Sequence, residues 1–243
     1  MTARPTTLTD ADLRAEADLL DEAERAGRQV RQSTVAHPAM TIDDAYRVQG
    51  AWLDLRLARG ETLYGHKIGL TSRAMQAAMN ITTPDSGFLT DAMVYEPGSH
   101  LDAAAFCDPK VEVELAFVLS SDLAGDELTV DDVLDATEHV TPAVELIAAR
   151  SYRTDPATGR PRTVIDTIAD NAADAGIVCG GQPVGPRDTD RAWIGALASR
   201  NGVIEETGLA AGVLGHPARG SAWLAKRYGA PGRTRSAGPT SLA

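Results

Sequence analysis

The stretch Lys110-Val111-Glu112-Val113-Glu114-Leu115-Ala116-Phe117-Val118-Leu119 decides how this chain is read. Its first half alternates apolar and acidic residues, and a β-strand sends successive side chains to opposite faces. Val111, Val113, Leu115 and Phe117 therefore share one face, and Glu112 and Glu114 stand side by side on the other. Two carboxylates so placed are either solvated or turned toward a hard divalent cation. Downstream, Thr129 caps a helix expected over 130–139, and TPAVELIAA (141–149) reads as a second strand. Glu145 lies inside its apolar run, where a buried carboxylate requires a partner.

Upstream, LYGHKIGL (63–70) reads as a strand, SRAMQAAMN (72–80) as a helical turn, and Pro84-Asp85-Ser86-Gly87 as a loop. Lys67 is either partly buried and available to an anion or enolate, or a snorkelling surface lysine. Asp85 is a turn former or a base. His66 and His139 are either ligands or, as isolated histidines usually are, hydrogen-bonded structural residues. Before these come two amphipathic helices, about 9–26 and 41–59, whose apolar spacing predicts packing rather than chemistry. Beyond the strands, TVIDTIADNAADAG (163–176) suggests a helix or tight turn leading into an apolar strand. Asn201-Gly202 marks a hairpin, because both residues tolerate the positive φ of a type I′ turn. Helices in front and hairpins behind argue for an α+β fold.

The 243 residues carry a formal charge of −11, which argues against binding phosphate backbones or anionic membranes. No apolar run reaches the length of a membrane span, and the first residues turn acidic too soon for a secretory signal. Cys107 and Cys179 show no metal-type spacing and make no disulfide framework, so a reducing cytoplasm is expected. Neither a phosphate-binding glycine loop nor a Gly-x-Ser-x-Gly elbow is present, which argues against nucleotide cofactors and serine hydrolysis.

Four ordered motifs, Gly65-His66-Lys67-Ile68-Gly69-Leu70-Thr71-Ser72, Pro84-Asp85-Ser86-Gly87, 111–117 and Ile168-Ala169-Asp170-Asn171-Ala172, resemble the hydratase/decarboxylase branch of the fumarylacetoacetate hydrolase superfamily. The resemblance runs from about residue 8 to 228. It implies an α+β domain with a mixed β-barrel or roll and N-terminal helices. The segments would be 1–60 (helical), 61–228 (metal-binding and catalytic) and 229–243 (a disordered tail). By the same resemblance Glu112, Glu114 and Glu145 are metal ligands for Mg2+ or Mn2+, and Lys67 and Asp85 a catalytic pair. The implied reaction is addition of water to a 2-oxo-alkenoic acid in aromatic catabolism, with a C7 dicarboxylate as substrate. The distal carboxylate then needs a cation, for which Arg162, Arg160 and Arg73 are the candidates. A decarboxylase using the same metal, or an inactive partner subunit, is the alternative. Family members form homo-oligomers, often pentamer-based decamers. They also continue past the helix near Trp223 into further strands, whereas the basic, acid-free end of this chain is expected to supply none.

Overall fold

In a computed structural model, which describes residues 6–228 and 240–242, two long helices precede a curled mixed sheet. Helix α1 (Asp10–Ala26) and helix α3 (Ile42–Ala58) begin at Thr9 and Thr41, each closing a capping box with the aspartate three residues later. These boxes satisfy amide groups that a helix start leaves without partners. A short turn of helix, α2 (Ser33–Ala36), lies between them. Leu20, Val48 and Trp52 from the long helices pack in one core cluster with Phe88, Leu89, Ile168 and Ile177. The helices thus form one wall of the core on which the strands are laid.

The strands are β1 (Leu63–Gly69), β2 (Asp85–Thr90), β3 (Lys110–Leu119), β4 (Thr137–Ile147), β5 (Asp174–Cys179), β6 (Gly195–Arg200), β7 (Val203–Leu209) and β8 (Thr240–Leu242). Helices α4 (Arg73–Ala78), α5 (Val130–Ala136), α6 (Val164–Ala169) and α7 (Ala218–Tyr228) fill the connections. The main sheet runs β2-β1-β8-β3-β4-β5, while β6 and β7 form a separate hairpin. Its turn has the anticipated positive φ at Asn201 and Gly202.

An α+β fold with N-terminal helices is what the sequence implies, and of the two forms expected for the β core, barrel or roll, the described residues make the roll: the six-stranded sheet is open. It curls enough for the segment after β2 to meet β5, through a bridge between Val94 and Ile177 and a Tyr95 N–H to Ile177 carbonyl bond of 2.8 Å. The roll therefore has a concave inner side.

Three local expectations are corrected. The helix anticipated over 130–139 stops at Ala136, and His139 lies in β4. Thr137 and Val140 are drawn into extended pairing with β3, which outweighs the short helix's own propensity. The tail anticipated at 229–243 contains a strand: the backbone of 240–242 pairs parallel to β1 and antiparallel to β3. Both flanking strands present unpaired backbone edges, which a short extended segment of almost any sequence can satisfy. Residues 229–239 and 243 lie outside the described residues. Finally, Pro84-Asp85-Ser86-Gly87, read as a loop, opens into β2 from Asp85 onward, because that backbone pairs with β1. On β3 the valine side faces outward at its start, with Val111 71% and Val113 53% exposed, and Glu114 is half-buried. Helices α5 and α7 cover only the far end of that face, where Phe117 packs with Val133, Val140 and Leu224.

Candidate active site

The inner side of the roll collects the polar groups. Antiparallel pairing sets Glu112 of β3 directly opposite Glu145 of β4, and Glu114 lies two residues along the same face. One carboxylate oxygen from each of the three lies within 4.8 Å of the others. From β1, Lys67 reaches into the cluster and places its Nζ 3.2 Å from Glu145 Oε1, with both side chains fully buried. From the start of β2 comes Asp85, also buried, whose Oδ1 has no hydrogen-bond partner. The structure thus brings together five of the residues singled out from sequence.

Two glycines make this crowding possible. Gly69 is the cross-strand partner of Asp85, and a Cβ there would collide with Asp85 Oδ1 and sit 3.1 Å from Lys67 Nζ. Gly87 is the partner of Lys67, and a Cβ there would lie 2.6 Å from the Asn171 carbonyl oxygen and 3.3 Å from Lys67 Cγ. Gly69→Ala is therefore expected to force Asp85 away from Lys67 and to cost about 1 to 3 kcal/mol of stability, the usual range for overpacking. Denaturant unfolding with and without Mg2+ measures it, and unchanged stability would mean that the two side chains rearrange freely.

The electrostatics follow from burial and mutual proximity. Burial, then the charge of Glu145, raises the Glu114 carboxyl to about 8. Burial likewise raises Glu145 to about 7 against the opposing pull of Lys67. Burial disfavours the Lys67 ammonium, yet the fields of Glu145, Asp85, Asp174 and Glu112 outweigh it and raise its pKa. Asp85 is raised by burial, opposed by Lys67, Arg162 and Arg227. Such a cluster holds either protons or a cation.

Three clustered carboxylate oxygens form a hard donor set of the kind Mg2+ and other oxygen-loving ions prefer. The unpartnered buried oxygens of Asp85 and Asp174 leave further polar capacity nearby. The residues fit a divalent ion, and nothing in the set suits a soft metal.

Asp174, at the start of β5, escaped the sequence reading. It is fully buried, its Oδ1 accepts from Gly176 N–H at 3.0 Å, and burial together with Glu145 raises its pKa well above the ordinary value. The available signal was an acidic residue set among small apolar ones in Ala173-Asp174-Ala175-Gly176-Ile177. Tyr46, read as packing, has its hydroxyl lifted to about 12 by burial, so it stays neutral.

The three arginines separate. Arg162 is largely buried, its Nη1 lies 3.4 Å from Asp170 Oδ2, and its charge is felt at Asp85. Arg160 is exposed and donates to the Thr34 carbonyl at 3.3 Å, on the side of α2. Arg73 is exposed at the start of α4. No hydrogen bond or ion pair among the described residues links Arg160 or Arg73 to the carboxylate cluster.

The motif 168–172 shapes the site through its backbone. Asn171, Ala172 and Ala173 all have positive φ, of 51°, 52° and 62°. Left-handed conformation costs a non-glycine residue about 1 to 2 kcal/mol, so three in succession persist only when held from outside. The turn places the Asn171 amide against β2, where Oδ1 accepts from Phe88 N–H at 2.8 Å and Nδ2 donates to the Phe88 carbonyl at 2.9 Å.

No protein-family profile matches the chain. It is, however, 54% identical over 211 residues to 2-oxo-hept-4-ene-1,7-dioate hydratase of Escherichia coli, a match covering 87% of this chain and 79% of that protein. The chain belongs to the hydratase/decarboxylase branch of the fumarylacetoacetate hydrolase superfamily. Another member, 2-hydroxyhexa-2,4-dienoate hydratase of Comamonas testosteroni, is 41% identical over 92% of this chain and 83% of its own length. Among solved structures, 4-oxalocrotonate decarboxylase from Pseudomonas putida G7, complexed with magnesium and adipate, superposes with a TM-score of 0.89. It is 32% identical, over 98% of this chain and 88% of that one. The same decarboxylase complexed with calcium and acetate gives the same TM-score. No helix among the described residues is long and apolar enough to cross a membrane.

Proposed function

We propose that this chain is a divalent-metal-dependent hydro-lyase. Its substrate is a 2-oxo-alkenoic acid, 2-oxo-hept-4-ene-1,7-dioate, and its product 4-hydroxy-2-oxo-heptane-1,7-dioate. The observation that carries the proposal is the convergence of Glu112, Glu114 and Glu145 beside Lys67 and Asp85, in a chain 54% identical to the hydratase of that name. Glu112, Glu114 and Glu145 would hold Mg2+ or Mn2+. A bound divalent cation supplies Lewis-acid polarisation of the carboxylate and keto oxygens of a 2-oxo acid.

The chain's own residues do the rest. Lys67, held charged by its carboxylate neighbours, neutralises negative charge developing on the keto oxygen. Asp85, buried and raised in pKa, is suited to taking a proton from C3 and returning one at C5. That transfer moves the double bond from C4=C5 to C3=C4, into conjugation with the ketone. Water then adds with its hydroxyl at C4 and a proton at C3. Arg162, poised near Asp85, is the candidate for the distal carboxylate.

Incubating purified chain and Mg2+ with C5, C6 and C7 2-oxo-alkenoates, with products resolved by NMR, tests the proposal. A 4-hydroxy-2-oxo acid is the expected product. Release of CO2 would favour the second reading, a decarboxylase, which the TM-score of 0.89 to 4-oxalocrotonate decarboxylase keeps open. Loss of a carboxylate-binding arginine provides a sharper test of chain length. Charge-assisted hydrogen bonds contribute about 1.5 to 3 kcal/mol, so Arg162→Gln should cut kcat/KM for the C7 dicarboxylate roughly tenfold to a hundredfold more than for a C5 monocarboxylate. Equal losses on both substrates would remove Arg162 as the length selector.

The chain is further proposed to act in the cytoplasm as a homo-oligomer, a pentamer-based decamer in the family's manner. The exposed apolar side chains of Val111, Val113, Trp193, Leu197, Val203 and Ile204 support association. Light scattering on the eluting protein gives its mass directly.

A further inference from the structure

We infer that Arg150 is a positioning residue for Lys67 and Asp85, acting through the left-handed turn at 171–173. The inference rests on the hydratase reading for its kinetic consequence, but its structural content stands apart from it.

Arg150 is fully buried, and its guanidinium brackets the turn. Its Nε donates to Asp170 Oδ1 at 2.6 Å and Nη2 to the Asp170 carbonyl at 2.9 Å, on the near side. Its Nη1 donates to the Asp174 carbonyl at 2.9 Å, on the far side. The ring of Trp52 lies beneath the guanidinium, 4.9 Å from centroid to Cζ, and limits its tilt. The second oxygen of Asp170 is held by the Ser151 N–H at 3.0 Å and Oγ at 3.2 Å. Three donors in one rigid plane thus join the two ends of a backbone segment that would not stay left-handed unaided. A lysine ammonium, a single point charge, cannot span the same three acceptors.

The turn transmits that hold inward. Asn171 pins both backbone groups of Phe88, and its carbonyl fills the space above Gly87, the cross-strand partner of Lys67. The depth of the turn therefore sets where β2 lies against β1, and with it the spacing of Asp85 and Lys67. No hydrogen bond or ion pair among the described residues joins Arg150 itself to Lys67, Asp85 or the three glutamates. Its effect on them passes through backbone geometry.

The test compares wild type with Arg150→Lys, Asn171→Ala and the double variant Arg150→Lys/Ala172→Gly. It reads kcat and KM at saturating Mg2+, Mg2+ affinity by calorimetry, and amide hydrogen exchange at Phe88. In Arg150→Lys, kcat is expected to fall roughly tenfold to a hundredfold, as for a small misplacement of reacting groups. KM and the Mg2+ Kd should stay within about threefold, since neither substrate nor metal contacts are removed. Phe88 exchange should accelerate about tenfold or more beyond any change at Val48 in α3, the reference for global stability. Asn171→Ala should reproduce this pattern, and it carries the test should Arg150→Lys not fold. Glycine at 172 removes the side-chain cost of positive φ, so the double variant should regain part of both kcat and Phe88 protection. The inference is overturned if Phe88 exchange is unchanged, if it rises only in step with α3, or if it rises with kcat intact. Wild-type protein inactive on every 2-oxo-alkenoate would refute the hydratase reading instead, and the exchange data would still decide the role of Arg150.

Discussion

Replacing Lys67 with methionine is expected to lower kcat by roughly two to three orders of magnitude, the usual effect of deleting a charge-stabilising donor from a dry site, with a smaller change in KM. The ammonium is buried, lies 3.2 Å from Glu145 and is kept charged by four surrounding carboxylates. A positive charge so placed does most where negative charge develops, and in the proposed reaction that occurs on the way to the enolate rather than in the bound substrate. Methionine keeps the volume of the stem while removing the charge. Steady-state kinetics at saturating Mg2+, alongside thermal unfolding, separate a catalytic loss from a folding loss. A change confined to KM would instead assign Lys67 to binding the substrate's carboxylate in the ground state.

A second large effect concerns protons and the cation. With Glu114 near 8 and Glu145 near 7 in the metal-free fold, against an ordinary glutamate value of 4.5, the folded chain holds protons that the unfolded chain has released. The metal-free protein should therefore lose stability as pH rises from about 5 to 8, because the native state binds the extra protons in that window. Divalent metal requires the ionised carboxylates, so apparent Mg2+ affinity should climb over the same interval with proton release on binding. Calorimetry in buffers of different ionisation enthalpy counts those protons. Glu145→Gln should lower Mg2+ affinity by roughly tenfold or more at pH 8, in line with the loss of a charged ligand. Proton-independent binding together with unchanged affinity in Glu145→Gln would place the ion elsewhere.

Much of this arrangement is legible along the chain, for a local reason. Alternation in 110–119 puts Glu112 and Glu114 on one strand face whatever surrounds them, since side-chain direction follows backbone geometry residue by residue. The apolar run around Glu145 marks a carboxylate in need of a partner, and the threonine–aspartate spacings at Thr9 and Thr41 mark helix starts. Gly69 and Gly87 stand in the motifs as glycines, but only the fold shows that one gives way to Asp85 and the other to Asn171.

What periodicity cannot supply is which face of a strand lies inside. Helices α5 and α7 cover only the far end of the valine face of β3, leaving Val111 and Val113 exposed, while Glu112, itself exposed, and Glu114 converge with Glu145 on the other face. Likewise Asp174 and Arg150 carry no periodic signal, because their roles come from elements far apart in sequence. The strand at 240–242 exists because β1 and β3 leave a gap between them, and the separation of Arg162 from Arg160 and Arg73 depends on where the loop before α6 is laid down. The sequence by itself determined the chemical inventory and the local direction of each side chain, both set within a few residues. Burial, cross-strand register and the convergence of charges were decided only by the tertiary structure, since each is a sum over neighbours that the chain order does not name.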